Sequence, residues 1–230
     1  MHGIHRGRPL NCQPSGMSMI RRLAVVLLLA GARSAIAQDC SGPALQKALL
    51  ERAAVDQGAR KALQEAPTSR DAQDAALRTD ADNTAFMRQV LAKCGWPRRS
   101  VVGEEAARAA WLLTQHADMD QQYHVLAAQQ LKYAVFAKEA DGNALALLVD
   151  RNRRLNDQPQ VYGMQYFTTP DGTIEYYDIV NPAQLDARRK AIGLPPFTCA
   201  AMRTSRELKG ASIRWPEGVL FRPAECGDAP

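Results

Sequence analysis

The sequence predicts a mainly α-helical domain with a small antiparallel β-hairpin (an α+β fold), made as a single domain behind a cleavable export signal. Three observations predict it. An apolar run with a small-x-small site stands near the N-terminus. Apolar residues then recur at helical spacing from about residue 43 to residue 155. Beyond that, aromatic and β-branched residues alternate on either side of a Pro-Asp-Gly turn.

Arg21 and Arg22 precede the apolar run Leu23 to Ala30, and Ala35-Ile36-Ala37 supplies the small side chains that a signal peptidase admits. Residues 1–37 are therefore read as an upstream segment and signal peptide, with Met1, Met17 or Met19 as the start. The run is too short to span a bilayer, which takes about 20 apolar residues, so no stable membrane span is expected after cleavage. Asp39 before Cys40 argues against a lipid-anchored N-terminus. The expected location is the periplasm or the medium.

The chain carries 29 basic and 24 acidic residues. Five of the basic residues and none of the acidic ones lie in residues 1–37, which leaves the mature chain balanced. A neutral domain has no electrostatic reason to seek phosphate backbones, so nucleic acid is excluded as a partner. Four cysteines remain after maturation: Cys40, Cys94, Cys199 and Cys226. In an oxidising compartment they are disulfide candidates, with three possible connectivities. Cys40–Cys94 and Cys199–Cys226 are favoured because each staples a chain terminus. Such loops contribute about 3.5–4 kcal/mol each by chain entropy.

The elements follow in order. Residues 38–74 form an N-terminal helical segment, in which Pro43 to Ala66 is rich in helix formers with Leu45, Ala48, Leu49 and Arg52 on one face. Pro67-Thr68-Ser69 ends that helix, and Ser69 caps the next. The second helix carries Leu77, Ala81, Thr84, Ala85, Val90 and Leu91 as its apolar stripe and stops at Gly95-Trp96-Pro97. A third begins near Gly103, with Glu104 and Glu105 in its first turn and Ala106, Ala109, Ala110, Leu113 and Ala117 on one face. Asp118 or Asp120 caps a fourth, which runs to about Lys138, and a fifth follows Asp141-Gly142-Asn143. The hairpin is expected at about 160–179, around Thr169-Pro170-Asp171-Gly172. Asn181-Pro182 opens a short helix that ends at Gly193, and residues 198–230 are expected to be an irregular tail.

Several short blocks follow one another along the chain: Asp82-Asn83 through Gly95-Trp96-Pro97, Val102-Gly103 through Gln115-His116-Ala117-Asp118, Asp150-Arg151, Gln160-x-Tyr162-Gly163-x-Gln165, Asp186-x-Arg188-Arg189 and Gly193-Leu194-x-Pro196. In these the chain resembles a bacterial domain family of unknown function, over about residues 75–197. Met164 stands where that family's pattern has Thr, and His124 where it has Gln. The resemblance implies a domain and no reaction.

The same blocks hold the candidate site. His116 lies seven residues after Ala109 and three after Leu113, on the buried side of its helix. Imidazole there is either a satisfied core group or a general acid/base. Asp118 and Asp150 are the candidate catalytic carboxylates beside it. Gln115, Arg151, Tyr162 and Gln165 are candidate ligand-binding residues. With two mature histidines, His116 and His124, eight apart and no Cys/His spacing, no metal or other cofactor is expected. Three function classes remain. One is a polar pocket that binds a small polar ligand or peptide. Another is a hydrolase-like enzyme using His116, and a third is an envelope module without pocket chemistry. An imidazole–carboxylate hydrogen bond at a cleft distinguishes the enzyme.

Overall fold

The computed structural model describes Cys40 and residues 42–226; the export signal expected within residues 1–37 lies outside them. Helix α1 (Gly42–Glu65) is followed by α2 (Arg70–Cys94), the single turn α3 (Arg99–Val102), α4 (Glu104–Gln115), α5 (Gln121–Phe136) and α6 (Gly142–Leu155). Strands β1 (Tyr166–Thr168) and β2 (Ile174–Tyr176) precede α7 (Leu185–Ala191), α8 (Phe197–Glu207) and β3 (Ile213–Arg214). The fold is mainly helical with a small sheet, as the sequence predicts.

Local chemistry sets the helix ends. The Ser69 hydroxyl accepts the Ala72 N–H at 3.4 Å and starts α2. Gly95, at φ +74°, ends α2 by donating its N–H to the Leu91 carbonyl. Asp120 accepts the Tyr123 N–H at 3.0 Å, and Asp141 accepts the Asn143 N–H at 2.9 Å, which starts α5 and α6.

The main core lies among α1, α2, α4, α5 and α6. Leu45 and Leu49 of α1 meet the alanine face of α4, where Ala106, Ala109 and Ala110 let the two helices approach closely. Met87, Val90 and Leu91 of α2 and Leu131, Leu145 and Leu148 of α5 and α6 complete it. The stripe expected on α2 is divided: Thr84, Val90 and Leu91 are buried, whereas Leu77, Ala81 and Ala85 are exposed. A second, smaller core gathers Ile179, Leu185, Phe197 and Ala201 beneath Tyr176, Ile213 and Trp215.

Two expectations need correction. The hairpin ladder has only three pairs, from Tyr166↔Tyr176 to Thr168↔Ile174. Residues 161–165 form a loop and not a strand. The stretch from 198 onward, expected to be irregular, contains most of α8 and then β3, which pairs parallel to β2. Pro195-Pro196 ends the preceding segment and also begins a helix, since Pro suits a helix start, and Asp186 accepts the Phe197 N–H at 2.7 Å. The cysteines pair as favoured, Cys40–Cys94 and Cys199–Cys226.

Candidate active site

Asp56 follows Leu49 by seven residues and Leu45 by eleven, so it continues the buried stripe of α1. A carboxylate there needs partners, and His116, Gln57 and Arg60 supply them. Nδ1 of His116 lies 2.9 Å from Asp56 Oδ1 and 3.0 Å from Oδ2. Gln57 Nε2 donates to Oδ2 at 2.8 Å. Arg60, one turn on, stands 3.8 Å from Oδ1 and forms an ion pair with Asp80 of α2. Arg52, one turn before, donates to Asn83 at 3.2 Å and lies over the Phe86 ring. Burial pushes the Asp56 carboxyl up, but hydrogen bonds from His116 and Gln57 and the charges of His116 and Arg60 outweigh it and hold the group below its ordinary range.

An ionised carboxylate only accepts, so the Nδ1 that faces Asp56 carries a proton and Nε2 is the ring nitrogen left for other partners. Nε2 has no hydrogen-bond partner among the described residues. The Asp56 side chain is 0% exposed and that of His116 22%. His116 closes the C-terminus of α4, where its own N–H bonds the Leu112 carbonyl. His116 lines a cleft of about 330 Å³. Leu77, Ala81 and Ala85, the part of the α2 stripe outside the core, form an apolar wall with Met119, and Asp80 and Arg88 mark the polar side. Arg88 is fixed there by two nitrogens on the Asp120 carboxylate, at 2.8 and 2.7 Å.

The other candidate residues have different partners. Asp118 forms a bidentate pair with Arg151, whose Nε donates at 2.7 Å. Gln115 is half-buried, and its Oε1 has no partner among the described residues. His124 is fully buried, with Nε2 3.0 Å from the Thr114 carbonyl and Nδ1 unpartnered among the described residues; burial lowers its pKa. Asp150 is also fully buried, and its two oxygens accept the N–H groups of Val161, Tyr162 and Met164 at 2.7 to 3.1 Å. Burial raises its pKa despite those bonds.

Loop 160–165 is held from several other sides. Gln160, buried, bonds both the N–H and the carbonyl of Gln165 and the carbonyl of Tyr177. Arg188 and Arg189 donate to the carbonyls of Val161 and Tyr162 respectively. Gly163, at φ +69°, has its Cα so close to Phe197 that a Cβ would lie 2.8 Å from the ring. Tyr162 and Gln165 are therefore placed by this loop. Among the described residues no hydrogen bond or ion pair joins His116 to Asp118, Asp150 or Gln165.

A family model described as "Family of unknown function (DUF6624)" matches residues 43–210. The chain belongs to the DUF6624 family. Neither a curated protein nor a solved structure matches it. The matched span runs from the start of α1 to just past α8, so this DUF6624 domain contains both Asp56 and His116.

Sequence reasoning passed over Asp56, Arg60 and Asp80. The available signal was an acidic residue in register with Leu45 and Leu49 on an otherwise apolar stripe. Asp56, Asp80 and His116 each offer a ligand atom within 4.8 Å of the others, a donor set suited to a divalent cation. In this DUF6624 domain Arg60 stands at both carboxylates and already supplies positive charge.

Proposed function

We propose that this DUF6624 domain is an exported, hydrolase-like enzyme in which His116 is the general base and Asp56 orients it. The observation that supports this reading is the buried carboxylate on Nδ1 of an imidazole whose Nε2 is unengaged at a cleft. In the proposed step, Nε2 takes a proton from water as the water oxygen bonds to a carbonyl carbon. The resulting imidazolium then returns that proton to the departing oxygen or nitrogen as its bond to carbon breaks. Asp56 stabilises the imidazolium and fixes the tautomer.

The wall formed by Leu77, Ala81, Ala85 and Met119 favours a substrate with an apolar group beside the cleaved bond. An ester or peptide with an apolar side chain fits better than a wholly polar ligand. Export is supported by the two disulfides, which persist in oxidising compartments. A ligand pocket around Asp150 and Gln165 has less support, because the Asp150 oxygens already serve the loop.

The test uses the oxidised mature chain and p-nitrophenyl esters with acetyl and octanoyl groups. The expected outcome is hydrolysis above background, faster with octanoate, with kcat lowered by about 10²–10⁴-fold in His116→Gln while the fold is kept. Hydrolysis at the background rate, or equal in wild type and His116→Gln, overturns the reading.

A further inference from the structure

A second cleft, of about 300 Å³, opens where the α2–α3 junction, α4 and the start of α6 meet. It shares no lining residue with the cleft at His116. Two of the chain's three tryptophans, Trp96 and Trp111, line it. Trp96 belongs to the Gly-Trp-Pro block that ends α2 and is buried. Trp111 is half-buried, and its Nε1–H donates to the Ala144 carbonyl at 3.1 Å, which fixes the indole. The apolar surface is thus pre-set.

The charged groups on this cleft are unequally satisfied. Both oxygens of Glu139 are held by Ser100, through its N–H at 3.0 Å and its hydroxyl at 2.8 Å. Asp141 is committed to the N-terminus of α6. Glu104 is paired with Arg99 at 3.5 Å. The cations are less occupied. Nε of Arg99 is buried without an acceptor, and Arg108 has no ion pair or hydrogen bond among the described residues. Both oxygens of Glu139 and one of Asp141 are engaged, and Arg99 is shared with Glu104, so Arg108 is the lining cation whose donors are unspent and can meet a further acceptor in the cleft.

We propose that this cleft binds a carboxylate carried on an apolar or aromatic body, with the body against Trp96 and Trp111 and the carboxylate on Arg99 and Arg108. A free N-acylated amino acid and the C-terminus of a peptide share that chemistry. The site stands independently of the hydrolase reading.

Intrinsic fluorescence tests it directly, because two of the three indoles line the cleft. The oxidised mature chain is titrated to about 10 mM with N-acetyl-phenylalanine, with its amide, and with Gly-Gly-Phe as free acid. The proposal expects saturable change with N-acetyl-phenylalanine, the amide at least about tenfold weaker, and Arg108→Gln weakening the acid by about tenfold. His116→Gln leaves the titration unchanged. Binding of the tripeptide acid as well assigns a peptide C-terminus, and its failure assigns the free small acid. Equal binding of acid and amide, no saturable change, or an unaltered titration in a folded Arg108→Gln overturns the proposal.

Discussion

Asp56 and His116 are sixty residues apart in the chain, yet the carboxylate of one meets Nδ1 of the other at 2.9 Å. Helix α1 brings a buried acid to the place where α4 ends, and the two helices pack against each other. The pair is therefore fixed by the core, and its geometry depends on the same contacts that hold the domain together.

Asp56→Asn tests both consequences. The substitution removes the charge that stabilises an imidazolium and lets the amide donate to Nδ1, which puts the proton on the wrong nitrogen. Hydrolysis is expected to fall by about 10²–10⁴-fold. Stability is expected to fall by about 1–3 kcal/mol, since the groups around the buried side chain lose a charged partner. Ester kinetics and urea unfolding read the two effects separately.

His124 gives a pH dependence with a defined sign. Burial lowers its pKa below the ordinary 6.5, so the folded state holds it neutral where the unfolded chain takes up a proton. Between the lowered folded value and 6.5 the unfolded chain binds more protons, and stability must fall as pH falls. His124→Gln is expected to flatten the unfolding free energy across that window. A slope equal to that of the wild type counts against a buried neutral imidazole.

Asp150→Ala separates a loop scaffold from a catalytic group. Three N–H groups, those of Val161, Tyr162 and Met164, lose their acceptor. The melting temperature is expected to fall by several degrees, as for other losses of buried hydrogen-bond networks. Amide exchange at those three positions is expected to rise, while the rate per folded molecule stays near that of the wild type. A stable protein with lost hydrolysis would instead make Asp150 part of the reaction.

Reduction of Cys199–Cys226 is expected to loosen the C-terminal part first. The bond closes a loop of 27 residues of sequence separation that carries Trp215 and β3. Cys199→Ser with Cys226→Ser is expected to lower stability by about 3.5 kcal/mol by chain entropy. Urea unfolding of the double variant against the wild type checks it.

Legibility in the sequence followed the range of the interactions. Ser69, Gly95 and Asp141 mark helix ends through contacts a few residues away, and the Thr169–Gly172 turn forms within itself. All of these could be read directly. His116 was legible as a polar group on the buried side of α4, but its partner on another helix was not, and Asp118 and Asp150 were the carboxylates expected beside it. Residues 161–165 alternate like a strand, yet Asp150, Gln160 and Arg188 draw their backbone groups into a loop. Strand β3 has two residues, too few to carry a period, and depends on pairing with β2.

Long-range ¹H–¹⁵N NMR of the imidazoles in the folded mature protein reads directly which ring nitrogen of His116 carries the proton. The expected tautomer of His116 is Nδ1–H facing Asp56, with a bare, pyridine-like Nε2. A signal showing His116 protonated on Nε2 instead would contradict it.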